Sequence, residues 1–322
     1  MTNLPKRDAN ESSVLLASRE IEPHSDVGAE TQHGRPRVER RDARLWWGAW
    51  TLVLLVVFAL VAPPFNAWRG GTDPTAIGDV LATRLVHPFG RDLHGVRHWL
   101  GTDAFGRDVL VRVWLAARIS LGVGVAGAVL AGVIGVALGA VAAWNGGVID
   151  RVVLAVSDAL LAIPRLVLLL VIAALWGPGL TTVVVVLALT GWMSVARLVR
   201  ADVLGVRALP YIEAAHAMGL PGHEVVMRHV LPNALGSARV AITLGIGNAM
   251  LLESGLSFLG LGVQPPTPSW GNMISGGRDW LLTAPWIALC PGIALIVTVV
   301  ACTLIGDALS AHDGARESFQ QH

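Results

Sequence analysis

Lysine is almost missing from this 322-residue chain: Lys6 is the only one, and the other basic residues are arginines. A phosphate-binding GxxxxGK[ST] loop needs a lysine deep in a folded domain, and a Schiff-base mechanism needs a buried one, so both are excluded. Any ATP hydrolysis that drives this protein must then occur on another chain. Charge is scarce as well, with 15% of residues charged and a formal net charge of +1, which gives no footing for nucleic acid. Cysteine is limited to Cys290 and Cys302, both inside one apolar run, so neither a disulfide framework nor a CxxC redox or metal pair is available.

What is abundant is apolar surface. Hydrophobic residues make up 53% of the chain, and the mean hydropathy is +0.59. These values place it among polytopic membrane proteins. Residues 1–44 read as a polar, disordered tail without the apolar core of a signal peptide. The tail ends in Arg35, Arg37, Arg40, Arg41 and Arg44, which by the positive-inside rule keep that end cytoplasmic. A first span is predicted from Leu45 to Val61, with Trp46, Trp47 and Trp50 as interfacial anchors and Pro63-Pro64 ending it. The polar segment that follows, to residue 118, is predicted to be an external loop.

Five further runs approach the ~20 residues that a spanning helix needs: 119–143, 153–176, 180–199, 238–260 and 284–305. Six spans put both termini in the cytoplasm, with 119–306 as the permease domain and 307–322 as a cytoplasmic tail. In the second span Ala131, Gly135, Gly139 and Ala143 recur every four residues, with Gly124, Ala128 and Gly132 on a neighbouring face. Such spacing lets helix backbones approach closely.

Catalytic constellations are not found. His223 and Glu224 begin an HExxH-like string, but the second histidine would have to stand at 227, where there is Met227; His229 is about 240° around a helix at ~3.6 residues per turn. No GxSxG is present. Polar groups within the predicted spans are few. Asp158 and Arg165 stand seven apart, predicted on one face of the third helix, and Glu253 lies in the fifth span. Glu253 and Asp158 are candidates for the pathway or for an interhelical contact. An ion-coupled carrier would want several such groups and repeated halves, and no repeat is found.

One segment fits neither span nor loop. YIEAAHAMGLPGHEVVMRHVLPNALG, Tyr211 to Gly236, opens as a slim alanine-rich helix and stops at Gly219 and Pro221. Between the fourth and fifth spans it falls on the cytoplasmic side, where a short rigid helix can sit in a partner's cleft and transmit force. Arg207 and Glu213 offer polar contacts at its edge.

This segment resembles the EAA motif of ABC-importer permeases through Glu213, Ala214, Ala215, Gly219, Leu231 and Pro232, with His229 where the general pattern has Ile. Three more stretches are similar to the C-type permease of the dipeptide, oligopeptide and nickel branch. They are HWLGTDAFGRDVLVRVWLAARISL from His98, WNGGVIDRVVLAVSDALLAIPRLVLLL from Trp144, and LLESGLSFLGLGVQPPTPSWGNMI from Leu251. The tail after Gly306-Asp307 departs from the family pattern. In the last block the prolines are expected to end the fifth helix, with Trp270, Trp280 and Trp286 anchoring the returning segment at the membrane interface.

The resemblance implies an all-α membrane protein of six spans in the MetI-like, type I importer fold, with a cytoplasmic EAA coupling helix. It implies a bacterial inner-membrane location and contact with membrane lipid. As partners it implies a homologous B-type permease in a heterodimer, two cytoplasmic ATPase subunits and an extracytoplasmic substrate-binding protein. ATP and Mg would be bound by the ATPases, and this chain would bind no cofactor or metal and would not itself be an enzyme. The implied cargo is di- and oligopeptides, with nickel chelates, glutathione or another small solute as alternatives within the class. An ion-coupled secondary carrier is the alternative outside it.

Overall fold

In a computed structural model, residues 46–61 and 79–320 are described, with backbone only at 312–320. The basic run before Leu45, Pro63-Pro64 and the first part of the polar segment lie outside the described residues. Among the described residues every regular element is helical; the only β pairing is two isolated bridges, Arg91 with Arg97 and Thr102 with Asp108.

Helix α1, Trp46–Val61, is short for a span, and its three tryptophans are exposed. Four helices are long and apolar enough to cross a membrane: α3 (Val109–Asn145), α6 (Leu180–Arg207), a run from Gly222 to Phe258, and Trp286–Ala311 within α11 (Trp286–Gln320). The pair α4 (Gly147–Leu161) and α5 (Arg165–Trp176) is bent by 90° at the break between them; taken together as one span, it brings the number of crossings to five.

Two of these elements differ from the sequence expectation. Helix α3 starts at Val109, ten residues before 119, because Asp108 caps it by accepting the Val111 amide at 3.2 Å. The span expected over 153–176 is two helices. Pro164 has no amide hydrogen to continue the ladder and takes an extended conformation, from which α5 restarts. Asp158 and Arg165 consequently do not share a helix face. At the other end α11 continues past residue 306 to Gln320.

Helix α3 is the central post, and its small residues are what let two neighbours reach it. A Cβ on Gly139 would collide with the Ala196 carbonyl of α6, and one on Gly132 would stand 2.5 Å from Ile242 Cδ1 of the Gly222–Phe258 run. Both faces of the small-residue pattern are therefore used, one for each neighbour. Helix α1 joins the same post through Phe58, whose ring stacks on Trp114 with centroids 4.7 Å apart. Its carbonyl also accepts from Trp114 Nε1.

The polar segment before α3 is tied together by side chains, including a short helix α2 (Val80–Thr83). Asp103 Oδ1 accepts the amides of Phe105 and Arg107 at 2.8 and 2.9 Å, and its Oδ2 accepts Arg107 Nε at 2.7 Å. His98 sits between Asp108, 2.7 Å from Nδ1, and Asp92, 3.3 Å from Nε2. Burial works against the charge on Asp92, but the Val96 amide and His98 outweigh it and hold the carboxyl below the usual range. The GTDAFGRD block is thus a folded turn held by ion pairs.

Candidate functional site

The Tyr211–Gly236 segment forms helix α7 (Pro210–Ala217), helix α8 (Gly222–Val225), a π turn over Val226–Val230, and the start of α9 (Leu231–Phe258). Pro210 stands in the first turn of α7, where its missing amide hydrogen costs nothing. The helix stops in a Schellman arrangement. Gly219 donates to the His216 carbonyl at 2.9 Å, and Leu220 donates to the Ala215 carbonyl at 3.3 Å. That closure requires Gly219 at φ +83°, a conformation which a Cβ disfavours.

The motif residues divide by face. Ala215 and its neighbour Ile212 are buried among Ala143, Val199, Val203, Val225 and Val230, where α3, α6 and the π turn meet. Glu213, Ala214 and Gly219 are exposed, as is Met218 at 76%. Helix α7 is thus bolted down along one side and open along the other. Leu231 and Pro232 sit 16 residues or more from Ala215 in sequence and act at a different place, the first turn of α9. The Leu231 amide donates to the Val226 carbonyl, five residues back, and the π turn joins α8 to α9 without a break.

A tryptophan that sequence reasoning passed over holds this assembly. Trp144, near the end of α3, stacks on His216 with centroids 5.9 Å apart and carries the Arg207 guanidinium 5.3 Å from its ring centroid. Arg207 Nη1 also donates to the carbonyls of Ala143 and Trp144, at 3.1 and 3.0 Å. A basic group at orphan carbonyls of a helix C-terminus is favourable, and here it fixes α6 to α3 directly above α7. A tryptophan closing an apolar run ahead of Gly146-Gly147 was the available signal. From the other side, Asn233 Nδ2 donates to Tyr211 Oη at 3.3 Å, linking the start of α9 back to α7.

The two remaining candidate residues lie elsewhere. Asp158 pairs with Arg197 at 2.9 Å, both side chains more than half exposed, which links α4 to α6. Glu253 is fully buried, and its Oε1 accepts the hydroxyls of Ser257, 2.6 Å, and Ser269, 2.9 Å. Ser269 caps helix α10 (Trp270–Gly277), so Glu253 belongs to a buried joint between α9 and α10.

The same region corrects two expectations. Helix α9 ends at Phe258, before the prolines, because the chain turns at Gly260 with φ +80°. Trp270 is no interfacial anchor: it is 1% exposed, and its indole donates to the Val113 carbonyl at 3.0 Å. Among the described residues no group of three or more His, Cys, Asp or Glu is placed to hold a metal ion.

Residues 135–315 match the family described as binding-protein-dependent transport system inner membrane component. The chain is 35% identical over 261 residues to the oligopeptide transport system permease protein OppC of Bacillus subtilis, covering 80% of this chain and 81% of that protein. To the dipeptide transport system permease protein DppC of the same organism it is 40% identical over 263 residues, covering 81% and 78%. The glutathione transport system permease protein GsiD of Pectobacterium atrosepticum is 39% identical over 212 residues, covering 66% and 70%. Among solved structures, a chain of the inward-facing MetNI methionine ABC transporter superposes with a TM-score of 0.52, covering 64% of this chain and 96% of that one. At 21% identity this likeness speaks for the fold alone.

Proposed function

Since the chain belongs to the family of binding-protein-dependent transport system inner membrane components, we propose that it is one permease of an ATP-driven importer of dipeptides and oligopeptides. Its second permease is a homologous B-type subunit, and two ATPase subunits on the cytoplasmic side supply the energy. A substrate-binding protein delivers the solute from the other side of a bacterial inner membrane. The chain itself catalyses no reaction and holds no cofactor; ATP and Mg belong to the ATPases.

The observation that carries this reading is helix α7. It projects Glu213, Ala214 and Gly219 outward while Ile212 and Ala215 fix it to α3, α6 and the π turn. A force applied to its open side by an ATPase therefore reaches α3 and α6 together, and α9 through the continuous α8, π turn and α9 run. Closure of the ATPase dimer moves α7, and the two permeases rock about their interface to expose the pathway outward. Parity and the basic residues Arg197, Arg200, Arg207 and Arg228 favour a cytoplasmic α7 and cytoplasmic termini.

The cargo class follows the relatives, most of which are named as peptide permeases. The test is uptake of labelled dialanine into proteoliposomes containing the complete importer. Uptake that needs ATP and the ATPases supports the reading, whereas uptake by the permeases alone on an ion gradient overturns it in favour of a carrier.

A further inference from the structure

Between α3, α6 and α9 lies a cavity of about 230 Å³, closed at one side by the first residue of α5. That residue is Arg165. Its guanidinium reaches the cavity beside Gly191, with Nη2 3.2 Å from the place a Cβ on Gly191 would occupy. Gly191 stands roughly 17 Å along α6 at ~1.5 Å per residue, well inside the span. The cavity is therefore at membrane depth.

Arginine at that depth is costly unless it meets an anion or water. Here Arg165 Nε is cut off from solvent without a hydrogen-bond partner among the described residues, and no acidic side chain lines the cavity. Asp158, the nearest acid in sequence, is paired instead with Arg197 of α6. The wall adds two neutral polar side chains, Ser194 and Asn248, both exposed on otherwise apolar helices. The remaining wall combines aliphatic side chains such as Leu187 and Ile242 with small residues such as Ala131 and Gly245, which leave the space open. A cationic head, a hydroxyl and an amide around a small apolar hollow is the donor set of a carboxylate site.

We infer that this cavity receives the carboxylate of the solute as it crosses, with the Arg165 fork binding the two oxygens and Ser194 and Asn248 donating at the rim. At about 230 Å³ the hollow is below the ~300–1,000 Å³ of a pocket for a whole drug-sized ligand, so it takes one end of a peptide. The inference rests on the importer reading above and adds to it a selective site within this chain. Arginine is suited to it because its planar fork matches a carboxylate, which a lysine cannot do.

The test measures dialanine and dialanine amide binding to the purified permease–ATPase complex without its binding protein, by saturation-transfer NMR. Wild-type chain is compared with Arg165→Gln and Arg165→Lys. The expected result is that dialanine binds wild type at least about tenfold more tightly than the amide does, and that Arg165→Gln removes this difference while Arg165→Lys restores it in part. A purely structural role for Arg165 would weaken both ligands equally, which overturns the inference. So does equal binding of dialanine to wild type and Arg165→Gln, or no binding to a correctly assembled wild type. If Arg165→Gln fails to assemble with the ATPases, the Ser194→Ala, Asn248→Ala double variant replaces it, with selective loss of dialanine binding expected and unchanged binding contradicting. ATP-dependent uptake of dialanine by the complete wild-type importer separates the two failures. Its presence alongside absent selectivity sinks the site and spares the importer reading, and its absence sinks the peptide reading.

Discussion

Arg207 lies over Trp144, its guanidinium 5.3 Å from the ring centroid and its Nη1 donating to the Ala143 and Trp144 carbonyls. This contact joins the C-terminal end of α6 to the end of α3, and the same tryptophan stacks on His216 of α7. Replacing Arg207 with alanine removes a cation–π contact and two charge-assisted hydrogen bonds on a largely exposed side chain, a loss of about 1 kcal/mol. Thermal unfolding in detergent is expected to drop by a few degrees. Uptake is expected to fall further than stability, because the joint transmits motion as well as holding the fold.

Gly219→Val places a β-branched residue at φ +83°, at a strain of about 1–2 kcal/mol or more. The space around Gly219 is open, so the new side chain meets nothing inside the chain and protrudes from the end of α7. The expected outcome is a protein still present in the membrane but without uptake. Glu213→Lys, on the exposed face, is expected to abolish uptake with no change in unfolding temperature. Normal uptake by either variant contradicts the coupling role.

Gly139→Leu drives a side chain into the Ala196 carbonyl, where α3 and α6 touch backbone to backbone. Overpacking of this kind costs about 1–3 kcal/mol and more where backbone must shift. Membrane-inserted protein should be reduced and more easily digested by protease. Gly122→Ala, with nothing within 4 Å of its added carbon, is the control and should be neutral.

Much of this arrangement was legible in the sequence, and the exceptions have physical causes. The positions of α6 and α7, the turn at Gly219 and the small-residue faces of α3 follow from local chemistry, which periodicity, glycine and proline report directly. Hydropathy averaged over a window cannot see the 90° bend before Arg165, since both limbs are apolar and only Pro164 betrays it. Trp270 was misplaced for a related reason: tryptophan suits an interface and a core equally, and the long-range bond to Val113 that decides the matter has no trace in local sequence. Trp144 itself carried a signal at the end of its apolar run, but its partner Arg207 did not, because the two are more than 60 residues apart.

Glu253→Leu strands the hydroxyls of Ser257 and Ser269 in a buried joint, at about 1–3 kcal/mol for each unsatisfied group. Glu253→Gln keeps a carbonyl oxygen as acceptor and should lose less. A thermal melt in detergent ranks the three proteins, with wild type highest and Glu253→Leu lowest. If Glu253→Leu melts like wild type, the joint is not structural.

The carboxyl of Asp92 titrates below its ordinary range in the folded protein. A lowered folded value stabilises the loop at pH values above the unfolded one, ~3.9, and this contribution is lost as pH falls through the folded value. Protease cleavage of the 79–108 segment should therefore rise as the medium is acidified below about pH 4. Asp92→Asn should raise cleavage at pH 7 and narrow the difference between pH 7 and acid. A variant with the full wild-type pH response contradicts the assignment.

The most direct test of the account is purification of this chain from membranes in mild detergent, with identification of whatever accompanies it, for wild type and Gly219→Val in parallel. Recovery of a second permease with both forms, and of ATPase subunits with wild type but much less with Gly219→Val, is the predicted result. A stable assembly of this chain with itself, or ATPases retained equally by both forms, would contradict the claim that the open face of α7 is where the ATPase takes hold.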